Sequence, residues 1–206
     1  MVWHAEACGV DQIIAVARSV LFGWRAAQEQ GRECFNRTER RAAEVWKKPV
    51  EGRMKVNVDA ATGMDGKRGL AWVVRDAAGQ LVAAGAKPWE GNISPKEAEI
   101  LGVREALSWL KENRWDYVDI ESDASQVVSA IYNGGGVAQF GLIVEDVRDL
   151  MKDFNSISIA FIRRSANRVA HTLARAAVSL SDSHVWLSIP PTCIMQALSH
   201  DFINNT

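Results

Sequence analysis

Residues 55–59 run Lys55-Val56-Asn57-Val58-Asp59. Alternation at a period of two puts Val56 and Val58 on one face and Asn57 and Asp59 on the other, which predicts a strand that ends on an acid. A small turn containing glycine (residues 60–68) leads into the apolar run 70–75. The turn signal Asp76-Ala77-Ala78-Gly79-Gln80 then leads into another apolar run over 81–87. The chain thus predicts three strands in succession. Ser94-Pro95-Lys96-Glu97 is a capping box with proline at the first helical position. It predicts a helix to about residue 113 that buries Ala98, Leu101, Ala106, Leu107 and Leu110. Further along, the spacing predicts a strand over 117–122, a short helix over 125–132 stopped by Gly134-Gly135-Gly136, and an amphipathic helix over 139–154. A strand over 156–163 and an alanine-rich helix over 167–178 complete the pattern. The order β-β-β-α-β-α-α-β-α defines a layered α/β domain with a mixed sheet.

Outward from this block the signals thin. Residues 11–28 carry Ile13, Ile14, Ala17, Val20, Leu21 and Trp24 at helical spacing, with Asp11 at the N-cap position. A lone amphipathic helix of this length needs a surface to dock on. Residues 29–53 are polar and charge-rich and read as a linker, with a short helix around 39–45. Residues 183–206 contain Pro190-Pro191 and few periodic signals, and read as an appendage. The expected division is a helix and charged linker over 1–53, an α/β domain over 54–182 and a tail over 183–206.

Composition bounds the function. The 206 residues are 48% hydrophobic and 24% charged, close to the globular average, which excludes disorder throughout. With 24 Lys+Arg against 25 Asp+Glu, bulk attraction to nucleic acid or to an anionic membrane is absent, so any such binding needs a local patch. No apolar run reaches the roughly 20 residues of a bilayer span, and Glu6 and Asp11 fit no targeting signal. Cys8, Cys34 and Cys193 are too sparse for a disulfide framework or a zinc site. The expectation is a soluble, intracellular protein with no membrane partner. The eight tryptophans are scattered and form no repeat.

Three acids fall at suggestive places: Asp59 and Asp123 at predicted strand ends, and Glu99 early in the first long helix. Clustered carboxylates repel and raise one another's pKa unless a divalent cation neutralises them, and oxygen-only ligands suit Mg²⁺ or Mn²⁺. Taken singly, an acid at a strand end is more often a solvated cap.

Four local sequences occur in order: Lys55-Val56-Asn57-Val58-Asp59; Ala98-Glu99-Ile100-Leu101-Gly102-Val103-Arg104-Glu105-Ala106-Leu107; Glu121-Ser122-Asp123-Ala124-Ser125; and Arg164-Ser165-Ala166-Asn167-Arg168-Val169-Ala170-His171-Thr172-Leu173-Ala174. Together they resemble type 1 ribonuclease H-like domains, most closely the plant, retrotransposon-derived branch, over about residues 54–180. The upstream Trp46-Lys47-Lys48-Pro49 with Gly52 is similar to that branch's lead-in. The resemblance implies a five-stranded mixed sheet flanked by helices, with the acids gathered at one site. It places Asp59, Glu99 and Asp123 at the family's first three metal-binding acids and His171 at the fourth, making all four catalytic and metal-ligating candidates. Histidine there departs from the family's aspartate and supplies a neutral nitrogen, a poorer Mg²⁺ ligand; capping or packing on the helix is the equal alternative. The histidine-bearing loop of some members has no counterpart, because residues 161–167 are short and contain no histidine, and Ala60 replaces a usual glycine.

The implied activity is metal-dependent endonucleolytic cleavage of the RNA strand of RNA–DNA hybrids by two cations, with Mg²⁺ or Mn²⁺ as cofactor, leaving 5′-phosphate and 3′-hydroxyl ends. Arg163, Arg164, Arg168 and Arg175 fall within 13 residues that contain no acid, a local +4. Arg164, Asn167 and Arg168 are the nucleic-acid-binding candidates, although Asn167 has a second reading as the residue that fixes the turn into the helix. Two other classes stay open. One is a catalytically weakened or inactive nucleic-acid-binding module derived from a retroelement. The other is a fragment of a larger reverse-transcriptase polyprotein. A monomer is expected.

Overall fold

A computed structural model describes residues 44–64, 66–136 and 139–205. The helix expected over 11–28, most of that around 39–45, and Cys8 and Cys34 lie outside the described residues. In chain order the elements are β1 (Met54–Thr62), β2 (Arg68–Arg75), β3 (Leu81–Trp89), α1 (Pro95–Glu112), β4 (Tyr117–Ser122), α2 (Ser125–Asn133), α3 (Gln139–Met151), β5 (Ser156–Phe161), a 3₁₀ turn (Arg164–Ala166), α4 (Arg168–Ala177), β6 (His184–Leu187) and α5 (Thr192–Ile203). They build one mixed sheet in the order β5-β4-β1-β2-β3-β6. β1, β2 and β3 pair antiparallel as a meander, while β4 lies parallel to β1 and β5 parallel to β4. Parallel neighbours need a crossover, and α1 supplies the one from the meander to β4.

Alternation along the strands divides the core between two faces. Val56, Val58, Val74, Val118 and Ile120 meet Ile100, Val103 and Leu107 of α1 and the apolar sides of α2 and α3. Ala71, Val73, Ala84 and Ala86 meet Val169, Leu173, Ala174 and Ala177 of α4, and Ile194 and Ala197 of α5. α1 starts as its sequence predicts. Ser94 Oγ accepts from the Glu97 N–H (3.2 Å) and the Glu97 carboxylate accepts from the Ser94 N–H (2.8 Å).

Small residues set the height of α4. A Cβ on Gly69 of β2 would overlap the Ala174 carbonyl oxygen, so the alanine face of α4 rests directly on the sheet. That close approach holds His171, one turn into α4, above β1.

The sheet has six strands where five were expected. β6, from the segment read as an appendage, pairs antiparallel with β3 through Ala83–Leu187 and Ala86–His184. α5 follows and packs on α4 through Ile194 and Ala197. Its third inward position is an acid. Asp201 is 3% exposed and accepts from Arg75 Nη1 (2.8 Å), while Arg75 Nη2 donates to Asn57 Oδ1 (2.6 Å). Burial pushes the Arg75 pKa down and the bond to Asp201 opposes that. The Arg75 guanidinium also stacks 3.4 Å from the Trp46 ring centroid, and Asn205 Nδ2 donates to the Trp46 carbonyl (2.7 Å). The lead-in over 44–53 and the tail therefore meet on one face of the sheet, and residues 44–206 form one compact unit.

Candidate active site

Because β1 and β4 run parallel in register, with Val58 beside Ser122, their C-terminal halves open at the same edge of the fold. Asp59 follows Val58 in β1, which continues to Thr62 rather than ending at the acid. Asp123 sits on the bend after β4, Glu99 on the second turn of α1, and His171 on the first turn of α4. Four elements bring these side chains to one place.

Their contacts are specific. His171 Nδ1 lies 2.7 Å from Asp59 Oδ2. Asp59 also hydrogen-bonds Asp123. Burial, then the charges of Glu99 and Asp123, push the Asp59 carboxyl up to about 9; Arg164 partly offsets them. Burial and Asp123 push Glu99 up to about 8, opposed by a hydrogen bond from the Ala60 backbone and by Arg164. His171 is shifted the other way, its pKa lowered by burial and by the Arg164 charge. The two shifts, Asp59 upward and His171 downward, both disfavour an ion pair at the 2.7 Å contact.

The fourth position thus holds Asp59 through its ring. Among the described residues, no three Asp, Glu, His or Cys side chains are placed so that together they could hold a metal ion as they stand. The donor set still fits a hard divalent cation. Glu99 Oε2 is buried without a hydrogen-bond partner, next to two further acids, and an orphaned buried carboxylate oxygen is costly unless a cation or proton meets it.

Asn167 departs from the nucleic-acid-contact reading. It is fully buried, donating from Nδ2 to the Val58 carbonyl (2.9 Å) and to Asp123 Oδ1 (3.0 Å). Its amide ties the start of α4 to β1 and to the acid on the β4 bend, so no surface remains for a phosphate. Arg168 is exposed at the start of α4. Arg164 is 66% exposed at its side chain and bends inward, with Nη2 3.1 Å from both His171 ring nitrogens and Nε 3.9 Å from Asp123 Oδ2. Sequence reasoning gave Arg164 a phosphate role and missed this contact. The available signal was spacing, since the 3₁₀ turn brings Arg164 back over a residue seven positions on.

A mixed sheet in this order, helices on both faces and acids at the β1/β4 edge define a ribonuclease H-like domain. The reverse transcriptase-like family matches residues 57–177, more than half of the chain, and the chain belongs to that family. An Arabidopsis thaliana protein named for ribonuclease H is 28% identical over 163 residues, covering 78% of this chain; the chain spans about a quarter (26%) of that relative's length. Ribonuclease H1 from Halobacterium salinarum superposes with a TM-score of 0.57 at 23% identity, over 62% of this chain and 98% of that one. LC11 ribonuclease H1, solved in complex with an RNA/DNA hybrid, superposes at 0.54 with 17% identity, over 61% and 96%. No helix among the described residues is long and apolar enough to cross a membrane.

Proposed function

We propose that this chain is a nucleic-acid-binding, metal-dependent endoribonuclease that cleaves the RNA strand of RNA–DNA hybrids. The observation that supports it most directly is the meeting of Asp59, Glu99 and Asp123 from three elements, with one Glu99 oxygen buried and unsatisfied. Like charges this close are kept in a fold at a cost, and a cation site is the use that offsets it. Asp59, Glu99 and Asp123 would hold Mg²⁺ or Mn²⁺, with His171 at the rim. When bound, such ions lower the pKa of a coordinated water and stabilise the leaving 3′ oxygen of a phosphodiester.

The remaining work falls to the chain itself. Asn167 fixes Asp123 relative to β1 through its two hydrogen bonds. His171 orients the Asp59 carboxyl. Arg168, exposed beside the site, and Arg164 would meet phosphates of the duplex. RNA would be told from DNA through 2′-hydroxyl contacts across a shallow minor groove.

One observation favours a second reading. The Asp59 oxygen that a cation would use is engaged by His171, and Arg164 stands beside the cluster. A nucleic-acid-binding module with weakened catalysis would look the same. Incubating a hybrid labelled on its RNA strand with the full chain, in Mg²⁺ and in Mn²⁺, separates the two. The enzyme cuts the RNA internally and loses this on Asp123→Asn, whereas the module retains the hybrid uncut.

A further inference from the structure

We propose that Arg164 is a resident counter-cation of the acidic cluster, one that a divalent cation must displace and that a duplex phosphate draws away. The proposal rests on the reading of Asp59, Glu99 and Asp123 as a cation site, and adds a means by which nucleic acid controls its filling.

The geometry argues it in three steps. Arg164 Nε lies 3.9 Å from Asp123 Oδ2 and Nη2 touches the His171 ring, which itself binds Asp59. The guanidinium thus bears on all three acids: on Asp123 by direct approach, and by its charge on Asp59 and Glu99. Arginine carries its charge at every relevant pH, so a second cation arriving among these carboxylates meets a positive charge already in place. Next, this contact is reversible. The side chain is 66% exposed and extends from a three-residue 3₁₀ turn, whereas Asp59 is 3% exposed and held by β1. The arginine can leave without disturbing the sheet. Finally, phosphate is a better partner for a guanidinium than a single carboxylate oxygen at 3.9 Å, because it accepts two parallel hydrogen bonds. A duplex backbone docking beside α4 would take Arg164 and uncover the acids together. By linkage, nucleic acid then tightens cation binding and the cation tightens nucleic-acid binding by the same factor, typically 5–150-fold for coupled sites.

The test is calorimetric titration of Mn²⁺ into the full chain, alone and with a hybrid whose RNA strand is 2′-O-methylated against cleavage. The proteins are wild type, Arg164→Gln, Arg164→Lys and Asp59→Asn, each first matched to wild type by circular dichroism. Arg164→Gln should bind Mn²⁺ on the order of tenfold more tightly than wild type in the absence of hybrid. Arg164→Lys, which keeps the charge, should stay near wild type. Hybrid should tighten Mn²⁺ binding to wild type by a clearly larger factor than to Arg164→Gln, where only phosphate oxygens on the ion still contribute. Equal or weaker Mn²⁺ binding by Arg164→Gln, in a protein whose binding is still lost on Asp59→Asn, overturns the counter-cation role and leaves the cation site standing. No Mn²⁺ binding by any variant, with or without hybrid, overturns the cation site and the counter-cation with it.

Discussion

His171 touches Asp59 at the position that the resemblance gives to a fourth acid, and changing it isolates its effect. His171→Asp would remove the ring that occupies Asp59 Oδ2 and place an oxygen ligand in the first turn of α4, where the helix dipole favours an anion. Cation affinity and hybrid cleavage should each rise about tenfold, the scale of a restored metal contact. Without cation, the added negative charge should lower the melting temperature at neutral pH. Unchanged Mn²⁺ affinity in the variant would show that the fourth position is dispensable. The carboxylates also set a pH dependence in metal-free protein. Asp59 at about 9 and Glu99 at about 8 bind protons in the folded state that the unfolded chain, with ordinary carboxyl pKa values near 4, has released. The folded state is the more protonated between those limits, so stability falls as pH rises from 6 through 9. Urea midpoints in chelator should decline over that range, and Asp59→Asn should flatten the decline; a midpoint that climbs in wild type would contradict it. Local pattern marked the elements that carry the three acids, namely the alternation of β1, the capping box of α1 and the end of β4, but it read each acid singly as a solvated cap; only the resemblance grouped Asp59, Glu99 and Asp123 with His171. Asn167 was legible as the residue that fixes the turn into α4, whereas its burial on Val58 and the fold of Arg164 over His171 follow only from the path of the 3₁₀ turn.

Elements differ in how openly they announce themselves. The β1 alternation and the Ser94–Glu97 box are local signals, and the structure reproduces them within a few residues. β6 and α5 are not local in that sense. β6 has four residues with mostly exposed side chains, and it is a strand only because β3 offers an edge. The buried stripe of α5 is Ile194, Ala197 and Asp201, and an acid on the inward face conceals the helix until Arg75 is seen opposite it. Asp201→Ala should leave Arg75 buried and unpaired and cost about 3–5 kcal/mol, measured by urea unfolding. A loss under about 1 kcal/mol, the scale of an exposed pair, would mean α5 is not anchored there. The seat of α4 gives a second check. Gly69→Ala should force α4 off β2 at a typical overpacking cost of about 1–3 kcal/mol, and should weaken Mn²⁺ binding by loosening the Asn167 tie between Asp123 and β1. An alanine variant with wild-type stability and affinity would show that α4 has slack.

At the scale of the whole molecule, a net charge of −1 leaves nucleic-acid attraction to the arginines around α4, so binding should be local and salt-sensitive. The relative matched over 78% of this chain is far longer, and the chain spans about a quarter (26%) of it. The proposed activity rests on the acids at the β1/β4 edge. The most direct measurement follows an RNA strand labelled at one end, annealed to DNA and incubated with the full chain in Mg²⁺ or Mn²⁺. Wild type should cut the RNA at internal positions and spare the DNA, with cutting abolished by chelator, by Asp59→Asn and by Asp123→Asn. A hybrid that wild type binds but leaves whole in both ions, or RNA cut equally well by Asp59→Asn, would contradict a nuclease centred on these carboxylates.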